Sequence, residues 1–263
     1  MILLMDIIKK ELGKVKEYIL EGFSEPLTNE QLKNFLIGKS KMVRSVLAIL
    51  WLRANGFELT ENIYRILASG EIIHNASLLH DDVIDDAETR RGDETVAKAF
   101  DSKVSVLAGD YLVSLAVEKL ASVNNQRIIN IFNNCIKNMS LSEIKQYFMR
   151  GKIQTIEEYI EICKGKTAGL FSAILEAVLL LVNGDFDLAR SFGELFGIYF
   201  QIKNDLEEES AKNDKQNGVY TAKDIIGIEN TLILSDNYRS KLKEMLNSLS
   251  DNEYKRGLED LIQ

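Results

Sequence analysis

Apolar residues recur at three- and four-residue spacing along most of the chain, which is the pattern of helices with a buried face. No segment keeps the alternation of apolar and polar residues that indicates a strand. Glycines and clusters of Asn, Asp and Ser separate the periodic stretches, and the sole proline is Pro26, so nothing interrupts long helices. The periodicity predicts helices over residues 5–21, 42–54, 60–80, 103–122, 126–149, 156–163, 167–182, 186–210 and 236–248.

Several of these predicted helices are apolar on most faces, which indicates central positions in a bundle. The chain has 263 residues, without an internal repeat of fixed period and without a low-complexity linker. We therefore predict an all-α fold in which residues 1–263 form a single-domain helical bundle.

Charge and cysteine content narrow the function classes. A net charge of -8 argues against nucleic acid as a partner, because nucleic-acid affinity rests on basic contacts to phosphates. Cys135 and Cys163 have no zinc-site spacing and are expected as small core residues in a reducing cytoplasm. The most apolar window, residues 173–182, is too short to span a membrane and contains Glu176. Charges at Asp6 and Lys9 break any signal-peptide core, so we expect a cytoplasmic protein.

The most informative segment is LLHDDVIDDAETRRG at residues 78–92, which follows an apolar, helix-patterned stretch. Its acids occupy neighbouring helix faces if the helix continues through them, with Asp81, Asp85 and Glu88 on one stripe and Asp82 and Asp86 on the next. Carboxylates gathered in this way suit Mg²⁺, which is held by one or two carboxylates and by substrate phosphates. The arginines that follow, Arg90 and Arg91, offer forked donors that match a phosphate.

A solvated acidic helix end is the ordinary alternative for such a charge run. Against this alternative, Asp81 follows the apolar stretch without a Gly or Pro break, which places the acids at the end of a buried helix. Lys41 and Arg44 open a second apolar helix three residues apart, where the helix dipole disfavours positive charge. That cost favours a bound anion over two merely solvated side chains.

Taken in order, the basic motif at 38–47, DDVID with RRG behind it, KTA at 166–168 and FQIKND at 200–205 resemble the trans-isoprenyl diphosphate synthases, or polyprenyl synthetases. The resemblance extends from about Lys39 to about Thr221 and is greatest to the long-chain polyprenyl diphosphate synthases. It implies an isoprenoid-synthase bundle around a central cavity and a homodimer. It also implies a Mg²⁺-dependent prenyltransferase that condenses isopentenyl diphosphate with an allylic diphosphate to give a trans-polyprenyl diphosphate. The product could be delivered to a membrane.

The resemblance also implies a role for each matching residue. Two or three Mg²⁺ ions would be held by two acidic motifs, Asp81, Asp82 and Asp85 in the first and Asn204, Asp205 and Glu208 in the second. Both diphosphates would be bound by Lys41, Arg44, His74, Arg90 and Arg91, and the allylic cation would be stabilised by Lys166, Thr167 and Gln201. His80 has no match and is expected to be structural.

Product length follows, in the family, from the residues that precede the first acidic motif. Ala76 and Ser77 lie one turn before Asp81, and Ile73 lies a further turn back. Bulky aromatic residues at the first pair of positions stop growth early in the family. Because both are small in this chain, we expect a product longer than about twenty carbons.

Three departures from the family pattern leave an alternative open. The basic motif lacks its first arginine and its proline, the second acidic motif begins with Asn204, and Val219 stands at the lysine of a later GKxT motif. These changes would also suit a weakly active or non-catalytic regulatory subunit of a heteromeric synthase. The exact product length, the allylic starter and the downstream pathway stay open.

Other classes match less well. A class I terpene cyclase would carry a Ser or Thr and then a Glu in its second metal motif, whereas this chain has Glu208 and Lys212 there. An HD-type phosphohydrolase needs more metal-binding histidines than His74 and His80. A purely structural helical protein would not require paired anion sites.

Overall fold

The computed structural model describes residues 7–23, 33, 35, 40–207 and 218–263 and is almost entirely helical over them. The chain divides into two compact units. The first unit holds the described residues before Leu50 together with Glu58–Ile129, and the second holds Leu50–Phe57 and the described residues of Asn130–Gln263. The prediction of an all-α fold is confirmed. The prediction that residues 1–263 form a single domain stays a prediction.

The first unit is built on a long helix that packs against two others. Its elements are α1 (Lys9–Leu20), the first part of α2 (Val43–Ala54), α3 (Glu61–Ile84), the short strands β1 (Thr89–Arg90) and β2 (Asp93–Glu94), α4 (Val96–Ala99) and α5 (Ser102–Ala121). Helix α3 packs against α5 and α1, because its middle is apolar on most faces and is buried along nearly its whole length. This packing fixes the helix whose last turn carries the first acidic motif.

Helix α3 continues four residues past the predicted end at residue 80 but stops before Glu88. Asp85 is its C-cap, and Asp86 adopts a left-handed backbone with φ 48°, which ends the helical repeat. The chain then turns back as an antiparallel hairpin in which Thr89 pairs with Glu94. The predicted helical stripe through Glu88 is therefore wrong, and the Glu88 carboxylate instead accepts a hydrogen bond from Lys98 at 2.8 Å.

The second unit contains the last part of α2 and most of the remaining helices. They are α6 (Gln126–Met149, whose first turn belongs to the first unit), α7 (Ile156–Cys163), a π-helical turn (Lys164–Ala168), α8 (Gly169–Leu181), α9 (Phe186–Leu206), α10 (Ala222–Leu246) and α11 (Glu253–Leu261). Aromatic side chains fill its core, where the Trp51 and Phe192 rings lie 4.5 Å apart. A Cβ atom at Gly197 would lie 2.3 Å from Ala168 Cα, so glycine lets α9 approach the π-helical turn closely.

The end of α9, the start of α10 and the presence of α11 differ from prediction. Helix α9 ends at Leu206 rather than at residue 210, because Glu207 is extended. Helix α10 begins at Ala222, behind a capping box formed by Thr221 and Asp224, and bends at Gly227, where φ is 80°. Helix α11 was not predicted, although Asn252 caps its first turn through the backbone N–H groups of Tyr254 and Lys255. None of the described helices is long and apolar enough to cross a bilayer.

Candidate active site

The first acidic motif lies in the last turn of α3 and at its C-cap. Asp81 and Asp85 are partly exposed, whereas the Asp82 side chain is fully buried. The hairpin brings Arg90 back against the helix, and its Nε atom donates to Asp82 Oδ1 at 2.7 Å. The structure therefore leaves Asp81 and Asp85, which we call the outward acids, partly exposed and uses Asp82 to hold an arginine.

Burial and the Arg90 contact act on Asp82 in opposite directions. Burial raises the pKa of the Asp82 carboxyl group, and the guanidinium of Arg90 lowers it, with a net increase. Asp82 Oδ2 is also buried and accepts no hydrogen bond among the residues the structure describes. The role of Asp82 as a metal ligand stays a prediction, and its observed contact is with Arg90.

A basic cluster, defined as Arg44, His74, Arg90 and Arg91, lies beside this helix end. Burial lowers the pKa of His74 well below its ordinary value, and the positive charges of Arg44, Arg91 and Arg90 lower it further. The imidazole is therefore neutral among three guanidinium groups. Of the predicted diphosphate-binding residues, the structure brings together these four, and Lys41 lies exposed just before α2.

A carboxylate that sequence reasoning missed ties α2 to α3. The Ser45 backbone N–H and its Oγ both donate to Glu71 Oε1, each at 2.9 Å. Glu71 lies one turn before His74 on α3, and Ser45 follows Arg44 directly in the first turn of α2. The sequence signal for Glu71 was a lone acid within a helix patterned as apolar. An acid buried at such a position requires a partner.

The predicted chain-length residues lie where the sequence placed them on α3. Ala76 and Ile73 are buried, with 1% and 2% of their surface exposed. Ser77 is half-buried, and its hydroxyl donates to the His74 carbonyl at 2.8 Å, so its polar atom is turned back to the helix. The three side chains present small or apolar surface, and their effect on product length stays a prediction.

His80 makes contacts of a structural kind. Its ring lies against Gly109 of α5, where a Cβ atom would fall 2.2 Å from His80 Nε2. The same nitrogen lies 3.4 Å from the Val106 carbonyl oxygen and 3.4 Å from Asp110 Oδ1. These contacts use the imidazole to join α3 to α5 at a point where only glycine leaves room for it.

The second acidic motif, in the second unit, is organised differently. Asp205 is only 1% exposed, and both of its carboxylate oxygens accept hydrogen bonds. Tyr159 donates to Oδ2 at 2.6 Å and Gln201 to Oδ1 at 2.8 Å, while the Ala222 backbone N–H lies 3.3 Å from Oδ2. Thr167 donates to the Gln201 amide oxygen at 2.9 Å, which completes a chain that we call the Asp205 network.

Burial raises the pKa of Asp205 and, more strongly, that of the Tyr159 hydroxyl, whereas the donors around Asp205 lower the pKa of its carboxyl group. Asn204 is half-buried in the last turn of α9, and Glu208 lies outside the described residues. Helix α9 ends at Leu206, so Asn204 and Asp205 lie in its last turn. The role of Asn204, Asp205 and Glu208 as metal ligands stays a prediction.

The KTA segment forms the π-helical turn, a local irregularity often found at functional sites. The Lys166 ammonium pairs with Glu143 and donates to Gln146 Oε1 at 2.9 Å, both on α6. Lys166, Thr167 and Gln201 thus lie in one unit, and their role in stabilising the allylic cation stays a prediction. Glu143, Gln146 and Tyr159 were missed because each lies at least 20 residues from its partner.

Within the described ranges, no three His, Cys, Asp or Glu side chains converge as a ready-made metal cage. Asp81 and Asp85 offer the hard carboxylate oxygens that Mg²⁺ prefers, and Mg²⁺ is generally completed by water and substrate phosphates. The residues present therefore fit an ion that binds together with a diphosphate.

Comparisons with known proteins agree on one family. The family model described as Polyprenyl synthetase matches residues 25–260. A prenyl transferase of Cyanidium caldarium is 31% identical over 217 residues, which cover 77% of this chain and 67% of that protein. Solanesyl diphosphate synthase 2, chloroplastic, of Arabidopsis thaliana is 29% identical over 247 residues, which cover 86% of this chain and 59% of that protein. The chain thus spans about two thirds, or less, of these relatives.

A solved structure supports the fold. A polyprenyl synthase from Caulobacter crescentus CB15, described as complexed with calcium and isoprenyl diphosphate, superposes with a TM-score of 0.89 at 24% identity and covers 98% of this chain and 95% of its own. The predicted isoprenoid-synthase fold is confirmed, as is the prediction of a prenyltransferase-family enzyme. The comparisons do not support the regulatory-subunit alternative. The chain belongs to the polyprenyl synthetase family.

Proposed function

We propose that the chain is a Mg²⁺-dependent prenyltransferase that condenses isopentenyl diphosphate with an allylic diphosphate to give a trans-polyprenyl diphosphate. The observation that carries the proposal is the end of α3. There two partly exposed carboxylates, Asp81 and Asp85, lie next to a cluster of three guanidinium groups around a neutral histidine. Negative groups suited to a metal and positive groups suited to phosphate are both required by a metal–diphosphate substrate.

The basic cluster supplies the diphosphate contacts in this proposal. Guanidinium groups match phosphate oxygens with paired donors, and they stay charged when partly buried. Asp82 keeps Arg90 in place through the 2.7 Å contact, so this donor is oriented before substrate arrives. The neutral His74 adds a hydrogen bond without adding to the repulsion among the arginines.

Magnesium, when bound, withdraws charge from the leaving diphosphate. Asp81 and Asp85 are the residues that would hold it, and the calcium in the Caulobacter crescentus relative supports a divalent ion in this family. The allylic C–O bond breaks, and the diphosphate leaves with the electron pair. The double bond of isopentenyl diphosphate then forms the new C–C bond, and a proton is lost to the released diphosphate.

We assign the Asp205 network to the developing allylic cation. The Gln201 carbonyl oxygen is oriented by the Thr167 hydroxyl, and its amide nitrogen is directed to Asp205. A fixed carbonyl dipole stabilises positive charge without reorganising at the moment of reaction. The Lys166 ammonium, paired with Glu143 and donating to Gln146, would need to exchange these contacts to reach a diphosphate.

We also propose a long-chain product, a homodimer and a cytoplasmic location. Small Ala76 and Ser77 support a product longer than about twenty carbons, and the solanesyl synthase relative supports a long-chain product. Exposed apolar side chains on α5, among them Leu107 at 68% and Val117 at 44%, support a homodimer that would cover them. We further propose that the protein is cytoplasmic. Its active form would bind two or three Mg²⁺ ions.

The test is an assay of the purified chain alone with radiolabelled isopentenyl diphosphate, Mg²⁺ and each allylic starter, followed by chain-length analysis. The proposal expects condensation that stops when the metal is chelated. A chain that binds both substrates but forms no product without a second protein would instead establish the regulatory-subunit alternative.

A further inference from the structure

We propose that Glu71 is a positioning residue for the basic cluster: its carboxylate fixes the first turn of α2 and so places Arg44 for an incoming diphosphate. The proposal rests on the proposed function to the extent that the basic cluster binds diphosphate. Glu71 contacts none of the reacting groups and acts through the first turn of α2.

The geometry is that of a helix cap supplied by another helix. Backbone N–H groups in the first turn of a helix have no partner within that helix and require one from elsewhere. The Ser45 N–H finds it in Glu71 Oε1 at 2.9 Å, and the Ser45 hydroxyl donates to the same oxygen at 2.9 Å. Met42, just before α2, has a left-handed backbone with φ 46°, a conformation that is unfavourable for a residue other than glycine.

Burying the Glu71 carboxylate is unfavourable unless hydrogen bonds or positive charge compensate it. Glu71 is 1% exposed, and its second oxygen, Oε2, has no hydrogen-bond partner in the described part of the chain. A buried carboxylate with an unbonded oxygen is unfavourable unless nearby positive charge compensates it. Attraction between Glu71 and Arg91 supplies part of this compensation.

The carboxylate therefore joins two parts of the cluster. Through Oε1 it holds the turn that carries Arg44, and through its charge it attracts Arg91 on the hairpin. His74 lies one turn further along the same helix. One buried acid thus relates groups from three separate segments, which is the arrangement expected of a residue that prepares a binding site in advance.

Charge and hydrogen bonding at this position can be separated with a matched pair of variants. Glu71→Gln and Glu71→Leu remove the same charge, but only Gln retains an oxygen that accepts from Ser45. We would titrate the full chain with inorganic diphosphate by calorimetry, with EDTA present so that binding reports the basic groups alone. The dissociation constant for Glu71→Leu is expected to exceed that for Glu71→Gln about ten-fold, because buried donors lose their acceptor and the α2 start relaxes.

If Glu71→Leu does not fold, two further variants still test the positioning role. Ser45→Ala removes one of the two hydrogen bonds and should weaken diphosphate binding about three-fold. Ser69→Ala, which removes a buried α3 hydroxyl bonded to Arg65 O at 2.8 Å, should lower the melting temperature and leave the affinity unchanged. Equal affinities for Glu71→Gln and Glu71→Leu, or for wild type and Ser45→Ala, would overturn the positioning role. A wild-type chain that binds no diphosphate would instead refute the proposed function.

Discussion

The ends of α3 and α9 both carry an acidic motif, yet the two are built in different ways. At the end of α3, Asp81 and Asp85 are partly exposed beside the arginines of the basic cluster. At the end of α9, Asp205 is buried, and its carboxylate oxygens accept hydrogen bonds from a tyrosine, an amide and a backbone N–H. The first motif presents charge outward, and the second uses its charge within the protein.

This difference teaches that an acidic motif read from sequence can serve two physical purposes. Partly exposed carboxylates can bind a cation without leaving buried donors unsatisfied, so their removal should affect ligand binding more than folding. A carboxylate that satisfies buried donors contributes to folding, and its removal leaves those donors without an acceptor.

The largest effect is expected from the outward acids. Asp81→Ala or Asp85→Ala should reduce turnover about 100-fold or more, because each removes a carboxylate that would hold the metal ion, and the metal ion would stabilise the departing diphosphate. The melting temperature should stay close to that of the wild type. Glu94→Ala, at an exposed position on the neighbouring hairpin, is the control and should retain activity. Undiminished Mg²⁺-dependent condensation in both aspartate variants would refute the role of this motif.

Asp205→Ala should lower both turnover and stability. It leaves the hydrogen-bond donors of Tyr159, Gln201 and Ala222 without their acceptor, at an expected cost of about 3 kcal/mol in the free energy of unfolding. Urea unfolding monitored by circular dichroism measures this cost. Asn204→Ala, at the half-buried neighbouring position, is the control and should cost less than half as much. An Asp205→Ala variant as stable as the wild type would remove the distinction between the two motifs.

Ala76→Tyr should change the product while leaving chemistry in place. Ala76 is buried one turn before the outward acids, and a tyrosine there would fill the space that a growing chain needs. We expect a product shortened to about fifteen or twenty carbons and a modest loss of stability from overpacking. Ala76→Ser, which keeps the side chain small, should leave product length unchanged. The same long product from Ala76→Tyr would show that the chain grows along another path.

A smaller effect concerns His74, whose pKa is lowered by burial and by the three arginines. The unfolded chain takes up a proton on this histidine near pH 6.5, while the folded chain resists it. His74 therefore contributes full stability above about pH 6.5 and loses it as the pH falls toward its lowered folded pKa.

The variant His74→Gln should accordingly be less sensitive to acid than the wild type, by about 1 kcal/mol in the free energy of unfolding at about pH 5.5. Urea unfolding at about pH 7.5 and about pH 5.5 gives the comparison. His80→Gln serves as the control, because that ring lies against Gly109 and does not belong to the basic cluster. Equal acid sensitivity in wild type and His74→Gln would contradict the buried, neutral state of this histidine.

Sequence reasoning succeeded where the cause is local. Helices such as α3 and α6 follow from apolar periodicity, and the acids beside them follow from their order in the chain. It failed at Glu88, because the left-handed backbone of Asp86 ends α3 before that residue. It also missed Glu71 and Tyr159, whose partners lie 26 and 46 residues away, since only the fold brings such pairs together.

The central claim is that the outward acids of α3 bind a divalent ion together with diphosphate rather than in advance of it. Electron paramagnetic resonance of free Mn²⁺, used in place of Mg²⁺, tests this with and without inorganic diphosphate, with a protein-free diphosphate sample as the baseline. The account predicts that the wild-type chain removes Mn²⁺ from solution beyond the baseline only when diphosphate is present. It also predicts that a combined Asp81→Ala and Asp85→Ala variant does not. Tight Mn²⁺ binding without diphosphate, or equal binding by that variant, would contradict it.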